Sequence, residues 1–180
     1  LQRNNRHVVL IDNNKTNIGK AKKLGLEAFT ADIYSDTLTD NIELNDVGYL
    51  IAMTANSDIN KFAINKFREQ FGENGSFRIV DSDEMNDPEN AQKSGLFLYT
   101  HDFVKLMDAV RKNPVIHEQE VRDQAHFQEL YGKTKADDDI VSLFLKSPDG
   151  DLHIIPTFLK ENRELTEGYK LVYMGRAMDP

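Results

Sequence analysis

The 180 residues carry 22 basic and 30 acidic side chains for a net charge of −8, and 39% are hydrophobic, with no cysteine. That composition excludes a disordered chain, and the acidic balance argues against a nucleic-acid partner. The missing thiols exclude disulfide frameworks, thiolate zinc sites and cysteine nucleophiles. The length suits one domain or one domain with a small appendage. The longest apolar stretches, 8–11 and 48–54, fall far below the roughly 20 residues that span a bilayer. The chain begins Leu1-Gln2-Arg3 without methionine or an apolar leader, so no signal peptide is expected and it reads as a piece of a longer parent.

In chain order, the consecutive Val8, Val9, Leu10 and Ile11 predict a strand over 7–12, covered on both faces and ending at Asp12. Residues 15–24 show helical spacing at Ile18, Ala21 and Leu24, and Gly25 terminates that helix. A second strand is predicted over 26–31, a weak helical or turn segment over 37–44, and a third strand over 47–54. Ser57 is the expected N-cap of a helix over 58–71, stopped by Gly72. A fourth strand follows over 76–80, a loop over 81–93, a fifth strand over 96–99, and a helix over 102–112 stopped by Asn113-Pro114. Alternating strands and helices imply an α/β fold with a parallel, doubly wound sheet.

Beyond Pro114 the character changes. A helix is expected over 117–131 and a polar linker over 132–139. Strands are then expected over 140–146, 152–158 and 169–175, the first two joined by a turn at Pro148-Asp149-Gly150. The division is thus 1–113 for the α/β domain and 114–180 for a helix with a small β-rich module.

In open parallel sheets ligands sit at the carboxyl ends of the strands, which singles out particular polar residues. Asp12, followed by Asn13, is placed to accept hydrogen bonds from a ribose diol, or else simply to make a turn. Asp32, followed by Ile33, is placed to border an adenine, or else to shape a turn. Thr54, Asn56, Asp58 and Asn60 cluster after the third strand, where they line a cleft or cap the next helix. No G-x-G-x-x-G occurs, so these residues alone bind a nucleotide weakly at best. The five histidines are scattered, no metal-ligand spacing appears, and no catalytic acid, base or nucleophile stands out.

Residues 6–12, the pair Ala31-Asp32, and the run from Leu50 through Thr54-Ala55-Asn56-Ser57-Asp58-Ile59-Asn60 together resemble the regulator-of-K⁺-conductance (RCK), or TrkA N-terminal, nucleotide-binding domain. The resemblance implies a Rossmann-like fold over about 1–112, with its first strand and Gly-rich loop upstream of Leu1 and residues 1–5 ending the first helix. It makes Asp12 the ribose-binding acid, and it matches Asp32 to the family's Gly-Asp pair and Thr54 and Asn60 to its Thr-x-x-Asp-x-x-Asn motif. Ala31 stands where the pair has Gly, Ser57 where the motif has Asp, and Val80-Asp81 where Ala-Arg is usual.

The run 140–150 with 169–173 looks like the module that follows this domain in bacterial sodium/proton antiporters of the monovalent cation:proton type. What this implies is a non-enzymatic regulatory domain at the cytoplasmic face of a membrane parent, itself soluble. Its partners would be the transmembrane part of the same chain and a second copy in a homodimer. Its ligand would be NAD(H) or another adenine nucleotide in the intact parent, with none held tightly by these residues. Two other readings compete: a fragment of an NAD-dependent oxidoreductase, and a phosphoreceiver. With the first strand absent, the second and fourth strands are expected to pair directly, to take a partner chain, or to rearrange.

Overall fold

The computed structural model describes residues 1–36, 38, 42, 44, 46–86, 95–97, 100–160 and 164–178. The chain forms two compact units, Leu1–Leu50 and Ile51–Pro180. The fold is mixed α/β, with paired strands in both units and a separate antiparallel sheet in the second.

In the first unit a 3-10 turn, Gln2–Asn4, precedes β1 (Val9–Asp12), α1 (Lys15–Lys23) and β2 (Glu27–Thr30). β1 and β2 run parallel, with Val9 opposite Glu27 and Asp12 opposite Thr30. Asn14 caps α1 by accepting the Thr16 N–H at 2.9 Å, while Lys20, Lys22 and Lys23 in the last turn complement the helix dipole. Gly25 then takes φ 76°, a left-handed conformation that costs a residue with a Cβ but not glycine. Ile18 and Ala21 of α1 bury against Ala28 of β2. The first three predicted elements are therefore present, each slightly shorter. Coverage of both faces is corrected, because Leu10 is 37% exposed. Among the described residues β1 has β2 as its only ladder partner. The segment predicted over 37–44 lies mostly outside the described residues.

The second unit opens with β3 (Leu50–Ala52), α2 (Ser57–Lys66), α3 (Arg68–Phe71), β4 (Ser76–Arg78), α4 (Ser82–Asn86) and α5 (Phe103–Lys112). β3 pairs with β4, and Ile79 donates its N–H to Ala52 O at 2.9 Å. The helix predicted over 58–71 is two helices, since Phe67 leaves helical geometry at φ −101°, ψ 13°. Its cap is Asn56 rather than Ser57. Within the predicted 81–93 loop lies α4. The fifth strand predicted over 96–99 is corrected at Leu96 and Phe97, which form no strand; a parallel bridge to Arg78 is made instead by Gly95, just before that range, and 98–99 lie outside the described residues.

Then follow β5 (Ile116–Val121), α6 (Gln124–Lys135), β6 (Val141–Lys146), β7 (Leu152–His153), α7 (Ile155–Lys160) and β8 (Tyr169–Met174). The strands form one antiparallel sheet in the order β5-β8-β6-β7. The predicted 117–131 helix is corrected: its first part is β5, and α6 extends through the first half of the predicted linker. The predicted 152–158 strand is β7 followed by α7, because Pro156 has no N–H for a ladder yet fits the first turn of a helix. Phe127, Leu130, Ile155, Leu145 and Leu171 fill the core on one side of this sheet, each 0–1% exposed, and each worth about 1.5–3 kcal/mol of transfer free energy. Leu106 and Ala109 of α5 pack with Val141, Met174 and Ile79 in a second cluster. Gly175 is obligatory after β8: at φ 138°, an added Cβ would lie 2.4 Å from Asp139 O.

Candidate functional site

The parallel register of β1 and β2 puts their carboxyl ends side by side, and Ala31 donates its N–H to Asp12 O at 3.2 Å. Asp12, half-buried, accepts from the Asn14 N–H through Oδ1 at 2.8 Å and from Asn17 Nδ2 through Oδ2 at 2.9 Å. Each carboxylate oxygen thus carries one hydrogen bond and keeps a further lone-pair site. Asn13 is exposed beside it. Asp32 accepts the Tyr34 N–H through Oδ1 at 3.0 Å and fixes the turn that holds Ile33. Asp12, Asn13, Asp32 and Ile33 therefore share one strand-end rim of the first unit.

The other four predicted residues come together in the second unit, at the loop between β3 and α2. Asn60, 1% exposed, accepts the Thr54 N–H at 2.9 Å and the Thr54 hydroxyl at 2.8 Å, and donates to Thr54 O at 2.9 Å. Asn56 Oδ1 accepts from the N–H groups of Asp58 and Ile59 at 2.9 and 3.1 Å. Asp58 stands in the first turn of α2, where its charge suits the helix dipole.

A cleft of about 140 Å³ borders this loop, lined by Thr54, Ser57 and Asn60, by Ile79 to Ser82 at the end of β4, and by Asp102 to Val104 at the start of α5. The starts of α2, α4 and α5 all face it, and the chain's own side chains cap each one. Asp81 accepts the Glu84 N–H at 2.9 Å and Asp102 accepts the Lys105 N–H at 2.9 Å. Asp81 also accepts from Ser57 Oγ at 2.8 Å, with Lys61 Nζ 3.6 Å away. The Glu84 backbone N–H is the largest influence holding the Asp81 carboxyl below its usual range, followed in that direction by Ser57 and Lys61 and opposed by burial. Behind it, wholly buried Arg78 donates to both Glu84 oxygens, and Arg78 is the first cause of a lowered Glu84 pKa.

Sequence reasoning singled out neither Asp81 nor Asp102 as a cleft residue. Asp81-x-x-Glu84 is a capping-box spacing, and the reciprocal Asp81 N–H to Glu84 Oε2 bond at 3.3 Å completes it, so this part was readable.

A dinucleotide does not fit the cleft, which is smaller than the roughly 300–1,000 Å³ of small-molecule sites and already holds carboxylates at its helix N-termini. The rim around Asp12 does fit the ribose end of an adenine nucleotide, because a strand-end carboxylate with spare acceptor sites matches a vicinal diol. Among the described residues no group of three or more His, Asp or Glu side chains is arranged to hold a metal ion, and no helix is long and apolar enough to cross a membrane.

The family described as the TrkA-N domain matches residues 1–97, which is more than half of the chain. No curated protein sequence matches it at a significant level.

Proposed function

Because the chain belongs to the TrkA-N domain family, a nucleotide-binding, Rossmann-like domain type of potassium transport and related systems, we propose that it is the ligand-sensing regulatory region of a monovalent cation/proton antiporter or related potassium transporter. The family match over residues 1–97 carries this reading. The placement of Asp12 at the carboxyl end of β1, with acceptor capacity to spare, supports it. The ligand is NAD(H) or another adenine nucleotide, held by its ribose at Asp12 and Asn13 and bordered by Asp32 and Ile33. No bond is made or broken: a nucleotide with different affinities for two arrangements of the parent shifts transport by that difference alone. The Thr54, Asn56, Asp58 and Asn60 loop is a positioning element. Its internal hydrogen bonds fix the turn from β3 into α2. The parent's transmembrane region and a second copy of the chain are the partners, at the cytoplasmic face of the membrane.

The test is cation flux by the intact parent in vesicles, without nucleotide and with NADH, NAD, AMP or ATP in turn, in wild type and Asp12→Ala. The reading requires that NADH or ATP change the flux and that Asp12→Ala remove at least tenfold of the nucleotide sensitivity. A parent without membrane spans, or a flux indifferent to every adenine nucleotide, overturns it.

A further inference from the structure

β5 stands at one end of its sheet with β8 along one side, and among the described residues no strand lies along the other. One hydrogen bond tells which way its main-chain groups point. Gly175 donates its N–H to Val115 O at 2.9 Å, and these two residues continue the register that sets Ile116 opposite Met174. In an antiparallel ladder, pairs that exchange hydrogen bonds alternate with pairs whose N–H and C=O face away from each other. Val115, His117, Gln119 and Val121 therefore turn their backbone toward β8, and Ile116, Glu118 and Glu120 turn theirs outward. All three outward residues are exposed.

The open series is bounded at both ends. Pro114, the preceding residue in this alternation, has no N–H, and Arg122, the following one, already donates its N–H to His126 Nδ1 at 3.2 Å. Residues 116–120 are thus a template for one short strand. The opposite edge of the sheet, β7, is only two residues long and runs into α7, which leaves little to pair with. Ile116, Glu118 and Glu120 also share one face of the sheet. On that face Lys170 of β8 stands opposite Glu120, Lys146 of β6 stands opposite Lys170, and Lys146 Nζ lies 3.2 Å from Glu118 Oε1. The lysines lie on the inner side of the glutamates, so an added strand meets carboxylates first, and beside them Ile116, 39% exposed.

We propose that β5 is a docking edge for an extended basic segment of a partner protein, which adds as an antiparallel strand with an aliphatic residue opposite Ile116 and Lys or Arg opposite Glu118 and Glu120. The outward main-chain groups supply the affinity, and the three side chains supply the choice of sequence. Read along the partner, the pattern is basic-x-basic-x-aliphatic. Opposite charges facing each other across two strands attract and like charges repel, so a basic partner continues the alternation of sign that Lys170 and Glu120 begin. A second copy of the chain is the wrong occupant: antiparallel self-pairing centred on Glu118, Gln119 or Glu120 sets glutamate against glutamate. The docking edge uses none of the residues proposed to hold the nucleotide, so it stands or falls separately from the proposed function.

The test is amide NMR and hydrogen exchange of the whole chain, with and without an end-blocked peptide of sequence threonine-lysine-threonine-lysine-threonine-valine-threonine. The amides of Ile116, Glu118 and Glu120 should exchange freely in the chain alone and slow about tenfold in saturating peptide, while those of His117 and Gln119, already bonded to β8, change little. The same peptide with glutamate for both lysines should bind about tenfold more weakly, and the chain carrying Glu118→Lys and Glu120→Lys should reverse that order. No binding at millimolar peptide, equal binding of the two peptides, or shifts confined to residues away from β5 overturns the proposal. So does protection of the outward amides without peptide, which assigns the edge to a second copy if it grows with protein concentration and to the chain itself if it does not. If the charge-reversed variant does not fold, the comparison of the two peptides on the wild type decides the matter alone.

Discussion

Arg78 ends β4 with its side chain wholly buried, and its Nη1 and Nη2 donate to the two carboxylate oxygens of Glu84 on α4, the first of these at 2.7 Å. The pair fastens the short helix α4 to the strand and backs the cleft at Asp81. Removing one partner of such a pair leaves a buried charge without compensation. Glu84→Ala should therefore destabilise the chain by about 3 kcal/mol, read as a lowered midpoint in urea unfolding. The Glu84 pKa lies below its usual value, so its contribution is complete above the unfolded value of about 4.3 and disappears as pH falls through the lower folded value.

Asn60 makes a closed exchange of hydrogen bonds with Thr54 while nearly inaccessible to solvent. Asn60→Ala strands the Thr54 N–H and hydroxyl at the start of the cleft. The expected loss is about 2–3 kcal/mol, and the amide of Thr54 should lose protection from hydrogen exchange before global unfolding.

His7 is held between two carboxylates, Nε2 at 2.8 Å from Glu27 and Nδ1 at 2.8 Å from Asp46. Its pKa is raised, first by the Glu27 hydrogen bond and then by that of Asp46. A raised histidine stabilises fully below its unfolded value of about 6.5, and that contribution is lost as pH rises through the folded value. Thermal unfolding of the wild type should thus show a component that weakens as pH rises above about 6.5, and His7→Gln should lack it. The opposite slope would contradict this.

The sheet order leaves β5 at an edge, and its even-numbered residues Ile116, Glu118 and Glu120 share one face. Two copies pairing antiparallel about a two-fold axis bring residues of the same face together, and with the axis at residue 118, 119 or 120 this opposes Glu118 or Glu120 to another glutamate. This edge is guarded against self-pairing. Replacing both by Thr should raise self-association in sedimentation velocity, while wild type should not dimerise through β5.

Where local chemistry agreed with the final packing, the chain was easy to read. Val9 to Asp12, the helix from Lys15 and the Gly25 stop were legible because capping, periodicity and turn residues all pointed the same way. β5 was not, because its burial alternates but its sequence does not show it: Ile116 and Val121 lie on opposite faces and the four residues between them are polar. Pro156 was a signal against a strand over 152–158 that the apolar run around it overrode. The site was half legible. The strand-end rule singled out Asp12, Asp32 and the Thr54 loop, and the start of α5 at Asp102 was anticipated, but α4 was read as part of a loop, so Asp81 was not recognised as the cap of a helix facing the cleft.

The most direct test of the central claim is an amide NMR titration of the chain with NADH, AMP and ATP. The account predicts weak binding that shifts the amides of Asp12 to Thr16 and Asp32 to Tyr34, and that falls about tenfold in Asp12→Asn, the loss of one charge-assisted hydrogen-bonding group. Shifts confined to other residues, or a response unchanged by Asp12→Asn, would contradict it.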